Sequence, residues 1–156
     1  MSNLNGKYNL QVLRGLTTNR SLLSCPSDGS SVQLWGEDDG SGRQQWTFEE
    51  IPNSNGLYHI LVTQGLSSDR KYLSTTNEGD NVNLWNVDDG SGRQQWKITP
   101  VENSPTCNTY HIHVANGVSS MRRMLSCKPD GSMVDLWPED DGTGRQRWQL
   151  QGVFPG

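Results

Sequence analysis

A segment that occurs three times in this chain constrains its fold more than any other feature. Residues 34–46 read LWGEDDGSGRQQW, and the segment recurs at 84–96 as LWNVDDGSGRQQW and at 136–148 as LWPEDDGTGRQRW. The first two copies agree at 11 of 13 positions, and successive copies lie 50 and 52 residues apart. Repetition at such a period indicates one structural unit per copy. Three units, at about 6–55, 56–107 and 108–156, therefore fill the chain.

Each unit contains short runs of alternating apolar and polar residues, which is the pattern of half-buried strands. In the first unit Val32 and Leu34 alternate with Gln33 and Trp35. About four such runs per unit predict roughly twelve strands in an all-β fold. Units of about 50 residues are too small to have separate cores. The sequence therefore predicts a single β-trefoil domain over 1–156, with twelve strands and pseudo-threefold symmetry.

Composition and charge exclude several classes of protein. The formal charge is -4 with a pI near 5.3, which is the wrong sign for a phosphate-backbone partner, so no nucleic-acid binding is expected. No apolar run approaches the ~18 residues of a membrane helix, so no membrane insertion is expected. The N-terminus carries no signal-peptide pattern, which predicts a cytoplasmic protein or one secreted by an unconventional route.

The cysteines and histidines do not form a metal or disulfide pattern. Cys25, Cys107 and Cys127 are an odd number without C-x-x-C spacing, so they are expected to be small buried thiols. His59, His111 and His113 also lack metal-ligand spacing across the units and are expected on strand surfaces. No cofactor and no metal site is predicted, and the sequence leaves open whether the chain forms a homodimer.

Two sets of tryptophans have opposite strand parity. Trp46 shares a face with Gln44, and we expect it, with Trp96 and Trp148, to fill the core. Trp35 lies on the face opposite to Leu34, so this ring and its counterparts Trp85 and Trp137 should point outward. An exposed indole either stacks on a sugar ring or is covered by a neighbouring loop.

The motif Gln-x-Trp at 44–46, 94–96 and 146–148 resembles the signature of the R-type (ricin B-like) β-trefoil lectins, especially single-domain fungal and bacterial lectins. The resemblance covers the whole chain. It implies a non-catalytic, multivalent agglutinin that recognises glycans of the galactose or GalNAc type at up to three sites. In this family the aromatic residue that ends the third strand is the platform on which the sugar stacks.

Acidic loops follow each outward tryptophan and complete the candidate sites. Adjacent carboxylates accept hydrogen bonds from hydroxyls, and an arginine donates in a fixed fork, although Asp and Gly also form turns. The candidate carbohydrate-binding residues are Trp35, Asp38, Asp39, Arg43 and Gln33 in unit one, Trp85, Asp88, Asp89, Arg93 and Asn83 in unit two, and Trp137, Asp140, Asp141, Arg145 and Asp135 in unit three.

The sequence also departs from the galactose sites of the family. Those sites use an Asp on the second strand and an Asn directly before Gln-x-Trp. The matching positions hold Ser24, Ser74 and Ser126, and Arg43, Arg93 and Arg145. We therefore expect the contacts to the sugar to differ from those of the usual galactose site.

Arg20, Arg70 and Arg122 also recur in the three units. They are predicted to pair with the acidic loops as struts or, alternatively, to line the sites.

The sequence leaves three alternatives to a lectin. An enzyme is disfavoured because adjacent carboxylates on one turn do not flank a scissile bond. A β-trefoil protease inhibitor would act through one unique loop, for which the candidate is Pro100 to Asn108. A growth-factor-like trefoil is disfavoured by the acidic pI.

Overall fold

The computed structural model describes residues 4–101 and 108–153. These residues form twelve strands and no helix, so none of them lies in a helix that is long and apolar enough to cross a membrane. The strands are β1 (Gly6–Gln11), β2 (Leu22–Ser24), β3 (Gln33–Trp35), β4 (Trp46–Glu50), β5 (Leu57–Leu61), β6 (Tyr72–Thr75), β7 (Val82–Trp85), β8 (Trp96–Pro100), β9 (Thr109–Val114), β10 (Met124–Cys127), β11 (Val134–Trp137) and β12 (Trp148–Gly152).

Six of the strands close into a barrel. Strand β1 pairs with β4, β4 with β5, β5 with β8, β8 with β9, β9 with β12, and β12 with β1, all antiparallel. The remaining strands form three hairpins, β2–β3, β6–β7 and β10–β11, one from each unit. This is the β-trefoil that the repeats predict, and the prediction of twelve strands is confirmed.

The core follows the predicted strand parity. Trp46, Trp96 and Trp148 have no exposed surface, whereas Trp35 and Trp85 remain 38% and 37% exposed. Four of the hairpin strands depart from simple alternation, with three consecutive buried residues in each of β2, β6, β10 and β11; in β2 these are Leu22, Leu23 and Ser24. The Ser24 hydroxyl lies on the other side of the strand from Leu23 and accepts a buried hydrogen bond there, from Gln44.

The three units contact one another through equivalent loops. The backbone N–H of Thr17 donates to the carbonyl of Pro129 at 2.8 Å, and Ser67 donates in the same way to Ser27 at 2.7 Å. Unit one is therefore hydrogen-bonded to unit three, and unit two to unit one. The third contact, from Ser119 to Asn77 at 2.7 Å, closes the ring.

Candidate functional site

The acidic loop of each unit folds by two overlapping turns. The Asp38 Oδ1 atom accepts a hydrogen bond from the backbone N–H of Gly40 at 3.0 Å, and Asp39 Oδ1 accepts one from Ser41 at 3.0 Å. Units two and three repeat both bonds. Asp and Gly in this arrangement give the chain a tight reversal between the hairpin and the barrel.

The first aspartate of each pair holds this loop against the barrel. The Asp38 Oδ2 atom accepts hydrogen bonds from Asn9 at 3.1 Å and Gln45 at 3.0 Å. In unit two His59 takes the place of Asn9, with its Nε2 2.7 Å from the Oδ2 of Asp88. Burial opposes ionisation of Asp38, but these hydrogen bonds outweigh it and hold the pKa of Asp38 below its usual value. Both oxygens of the Asp38 carboxylate therefore accept hydrogen bonds within the protein and stabilise the loop.

Unit three fixes its first aspartate most strongly. Asp140 Oδ2 lies 2.8 Å from His111 Nε2 and also accepts a hydrogen bond of 2.8 Å from Arg147 Nε. Burial alone would raise the pKa of Asp140, but the bonds from His111, Arg147 and Gly142 prevail and lower it to about 2. The half-buried His59 and His111 are therefore partners of the acidic loops, a contact that their surface placement alone did not predict.

The glutamine of each Gln-x-Trp motif joins the loop to the second strand. Gln44 Oε1 accepts from the backbone N–H of Asp39 at 3.0 Å, and its Nε2 donates to the buried Ser24 hydroxyl at 2.9 Å. The indole N–H of Trp46 donates to the carbonyl of Leu23 at 2.9 Å. All of these bonds recur in the other two units. The motif is therefore the support on which the acidic loop rests.

Three equivalent pockets lie between each hairpin and its acidic loop. Their volumes are about 310, 230 and 120 Å³ in units one, two and three. The first pocket is lined by Ser24, Cys25, Pro26, Ser27, Gln33, Trp35, Asp39, Arg43 and Gln44. The second is lined by Ser74, Thr75, Thr76, Asn77, Asn83, Trp85, Asp89, Arg93 and Gln94. The third is lined by Ser126, Cys127, Lys128, Pro129, Asp135, Trp137, Asp141, Arg145 and Gln146.

The pockets separate the two aspartates of each pair. Asp39, Asp89 and Asp141 line the pockets, together with the arginines Arg43, Arg93 and Arg145 and the tryptophans. Asp38, Asp88 and Asp140 do not line them, because their carboxylates are bonded to the barrel. The sequence could not distinguish two adjacent aspartates, since both have the same residue type and the same repetition.

Two of the residues that line these pockets each carry an unpartnered polar atom. The Oδ1 atoms of Asn83 and Asp135 are buried and have no hydrogen-bond partner among the described residues. Both residues line a pocket, at the position that Gln33 occupies in unit one. A buried acceptor without a donor is costly, and a ligand hydroxyl that donates to it would remove that cost.

The arginines that line the pockets make different contacts from the second repeated set, which consists of Arg20, Arg70 and Arg122. Arg43 Nη1 donates to the carbonyl of Gly65 in the next unit at 3.1 Å, and Arg93 and Arg145 make the equivalent bonds, so each pocket depends on two units. Arg20 lies over the ring of Trp35, with its guanidinium carbon 5.2 Å from the ring centroid. Arg70 and Arg122 repeat this contact on Trp85 and Trp137.

This stacking replaces the predicted struts. Within residues 4–101 and 108–153, neither Arg20, Arg70 nor Arg122 forms an ion pair with an acidic loop. That prediction is wrong, since each guanidinium instead lies over the ring of the tryptophan in its own unit, where it makes a cation–π contact. With this contact in place Trp35 and Trp85 remain exposed, and Trp137 is partly exposed.

Two further expectations concern cysteines and the inhibitor loop. Cys25 and Cys127 are buried free thiols, as predicted, and burial raises the pKa of each to about 12. Cys107 and most of the segment from Pro100 to Asn108 lie outside the described residues. The part of the chain that the structure describes contains no cluster of three or more potential metal ligands.

Comparison with solved structures shows the same fold in proteins of low sequence identity. A designed threefold-symmetric protein, ThreeFoil, has a TM-score of 0.70 at 22% identity, and the match covers 96% of this chain and all of that one. The Polyporus squamosus lectin, solved with Neu5Acα2-6Galβ1-4GlcNAc, has a TM-score of 0.67 at 14% identity over 97% of this chain and 50% of that one. A Clostridium perfringens endo-β-galactosidase has a TM-score of 0.68 at 14% identity, and this chain covers 33% of it.

Comparison of sequences gives the family. No similar sequence was found among curated proteins. The model of the ricin-type beta-trefoil lectin domain-like family matches residues 42–121, just over half of the chain. With the three Gln-x-Trp supports in place, the chain belongs to the ricin-type β-trefoil lectin domain-like family.

Proposed function

We propose that this protein is a non-catalytic, multivalent lectin that binds glycans through three pockets, one in each unit. The observation that carries the proposal is the threefold recurrence of one lining: an outward tryptophan, an aspartate and an arginine. Indole faces pack on the C–H face of a sugar ring, and the two charged groups hydrogen-bond to hydroxyls. Membership of a lectin family supports carbohydrate binding in general.

The electrostatics of the pockets fit a neutral, hydroxyl-rich ligand. Hydrogen bonds from Ser41 lower the pKa of Asp39, so this carboxylate is charged at neutral pH. Arg43 balances the charge within the same pocket. Each hydroxyl of a sugar can donate to one group and accept from the other, which suits galactose or GalNAc as the first sugars to test.

The size of the pockets fits the end of a glycan chain. Volumes of about 120 to 310 Å³ lie at or below the lower end of the roughly 300–1,000 Å³ typical of pockets that enclose drug-sized ligands. Such a pocket holds one edge of a sugar and leaves the rest in solvent. A single site of this kind binds weakly, at about millimolar Kd, or about -4 kcal/mol. Engagement of a second site can raise the apparent affinity by about 10²–10⁴.

Calorimetry with galactose and with GalNAc tests the proposal. We expect up to three sites per chain, and replacement of Trp35, Trp85 or Trp137 by Ala should remove one site each. Agglutination of cells should fall far more steeply than monovalent binding, because it needs at least two sites. Met121→Ala is the control, since this side chain is 80% exposed and lines none of the three pockets. Absence of binding to a broad glycan panel would contradict the proposed function.

A further inference from the structure

The third pocket contains one more pair of oppositely charged side chains than the other two. Where unit one has Pro26 and unit two has Thr76, unit three has Lys128. Its Nζ lies 3.5 Å from the Oδ2 of Asp135, and both residues line the pocket. The equivalent pairs, Pro26 with Gln33 and Thr76 with Asn83, contain no charge. Repetition could not reveal this feature, because it occurs in one unit.

The ion pair leaves one carboxylate oxygen without a partner. The side chain of Asp135 is only 4% exposed, whereas that of Lys128 is 49% exposed. Asp135 Oδ1 is buried and has no hydrogen-bond partner among the described residues. Burial raises the pKa of Asp135, and the charge of Lys128 offsets this only in part. A buried carboxylate in this state gains strongly from a donor supplied by a ligand.

We infer that the third pocket binds an uncharged sugar through two neighbouring hydroxyls, of which one donates to Asp135 Oδ1 and the other accepts from Lys128 Nζ. This inference rests on the proposed function, and it gives the third pocket a ligand preference that differs from that of the other two. Both bonds involve an ionised partner and are stronger than the corresponding bonds to an amide. The first and second pockets offer an amide from Gln33 or Asn83 at the same position.

Opposite charges side by side also select against charged sugars. An ammonium group that approached Asp135 would lie close to Lys128, and a carboxylate that approached Lys128 would lie close to Asp135. A hydroxyl avoids both repulsions, because it is donor and acceptor without net charge. The small volume, about 120 Å³, favours entry by the edge of one ring, where two hydroxyls are adjacent.

Variants in which two of the three pocket tryptophans are replaced, here called single-pocket proteins, allow each pocket to be tested separately. Trp35→Ala with Trp85→Ala leaves the third pocket, and Trp35→Ala with Trp137→Ala leaves the second. Each is titrated with galactose, galactosamine and galacturonate, and NMR chemical shifts report the Kd. The third pocket should bind galactose several-fold more tightly than either charged sugar, whereas the second should show a smaller difference.

Substitutions in the ion pair give the decisive result. In the protein with only the third pocket, Asp135→Asn should weaken galactose binding about tenfold, and it should improve galacturonate relative to galactose. Lys128→Met should weaken galactose binding several-fold and improve galactosamine relative to galactose. The matched control is Asn83→Asp with Thr76→Lys in the protein with only the second pocket, which should create the same preference there.

The outcomes are distinguishable from failure of the proposed function. Asp135→Asn gives unit three the amide that unit two already carries, so it should keep the native melting transition. Unchanged galactose affinity in both Asp135→Asn and Lys128→Met, with both single-pocket proteins still binding, overturns the inference alone. Failure of both single-pocket proteins to bind any of the three sugars, or any sugar of a broad glycan panel, overturns the proposed function and the inference with it.

Discussion

A methyl group added at Gly42 should break the contact between units one and two. Gly42 has a φ of 98° in the acidic loop, and a Cβ there would lie 2.5 Å from the Cβ of Gln64 and 3.1 Å from its carbonyl oxygen. Real Cβ atoms do not approach so closely, so the backbone of one unit must move. Arg43, next in the chain, donates to Gly65 beside Gln64, so the first pocket should change as well.

Gly40 provides the matched control in the same loop. It has a φ of 82°, and a Cβ added there meets no atom within 4 Å. Gly40→Ala should therefore cost only the backbone strain of a left-handed residue, about 1–2 kcal/mol. Gly42→Ala adds overpacking, about 1–3 kcal/mol more. The expected additional fall in melting temperature is about 2–12 °C for a chain of this size.

Urea denaturation followed by tryptophan fluorescence measures both variants. The other units repeat the comparison: a Cβ at Gly92 or Gly144 would lie 2.6 or 2.9 Å from a side chain of the next unit, and one at Gly90 or Gly142 meets nothing within 4 Å. Equal destabilisation of Gly40→Ala and Gly42→Ala would refute the reasoning, because it would show that strain alone explains both.

Three further predictions concern a buried tryptophan, a hydrogen-bonded aspartate and two buried thiols. Trp46→Phe should cost at least about 2 kcal/mol in urea denaturation, because it leaves a gap in the core and removes the donor to the Leu23 carbonyl; a cost below about 0.5 kcal/mol would contradict this. The pKa of Asp140 is lowered from 3.8 to about 2, so its contribution to stability, of order 2 kcal/mol, is present above pH 4 and is lost as the pH falls towards 2. Asp140→Asn should thus destabilise the protein at pH 7 and much less near pH 2, and an equal loss at both values would argue against it. Cys25 and Cys127, with pKa values of about 12, should resist iodoacetamide at pH 8 in the native protein and react in urea, as peptide mapping would show.

Local sequence pattern was sufficient to predict the β-trefoil fold and the opposite orientation of the two sets of tryptophans. Alternation in the third strand predicts that Leu34 is buried and Trp35 exposed, because neighbouring residues of a strand point to opposite faces. Repetition of the segment 34–46 then predicts three equivalent units, and a unit of this size cannot bury a core alone. These conclusions need only local pattern and chain length.

The contacts of the polar side chains around the pockets could be read only from the folded structure. Asp38 and Asp39 are adjacent and identical in type, but the first is bonded to Asn9, 29 residues away, and the second faces the pocket. Arg20 lies on Trp35 and forms no ion pair with the acidic loop, and the neighbour of Arg43 comes from the next unit. Such contacts depend on how the units close into a ring. The physical reason is that strand periodicity fixes only the face to which a side chain points, whereas its partner is set by residues that are distant in sequence and meet only after the barrel has closed.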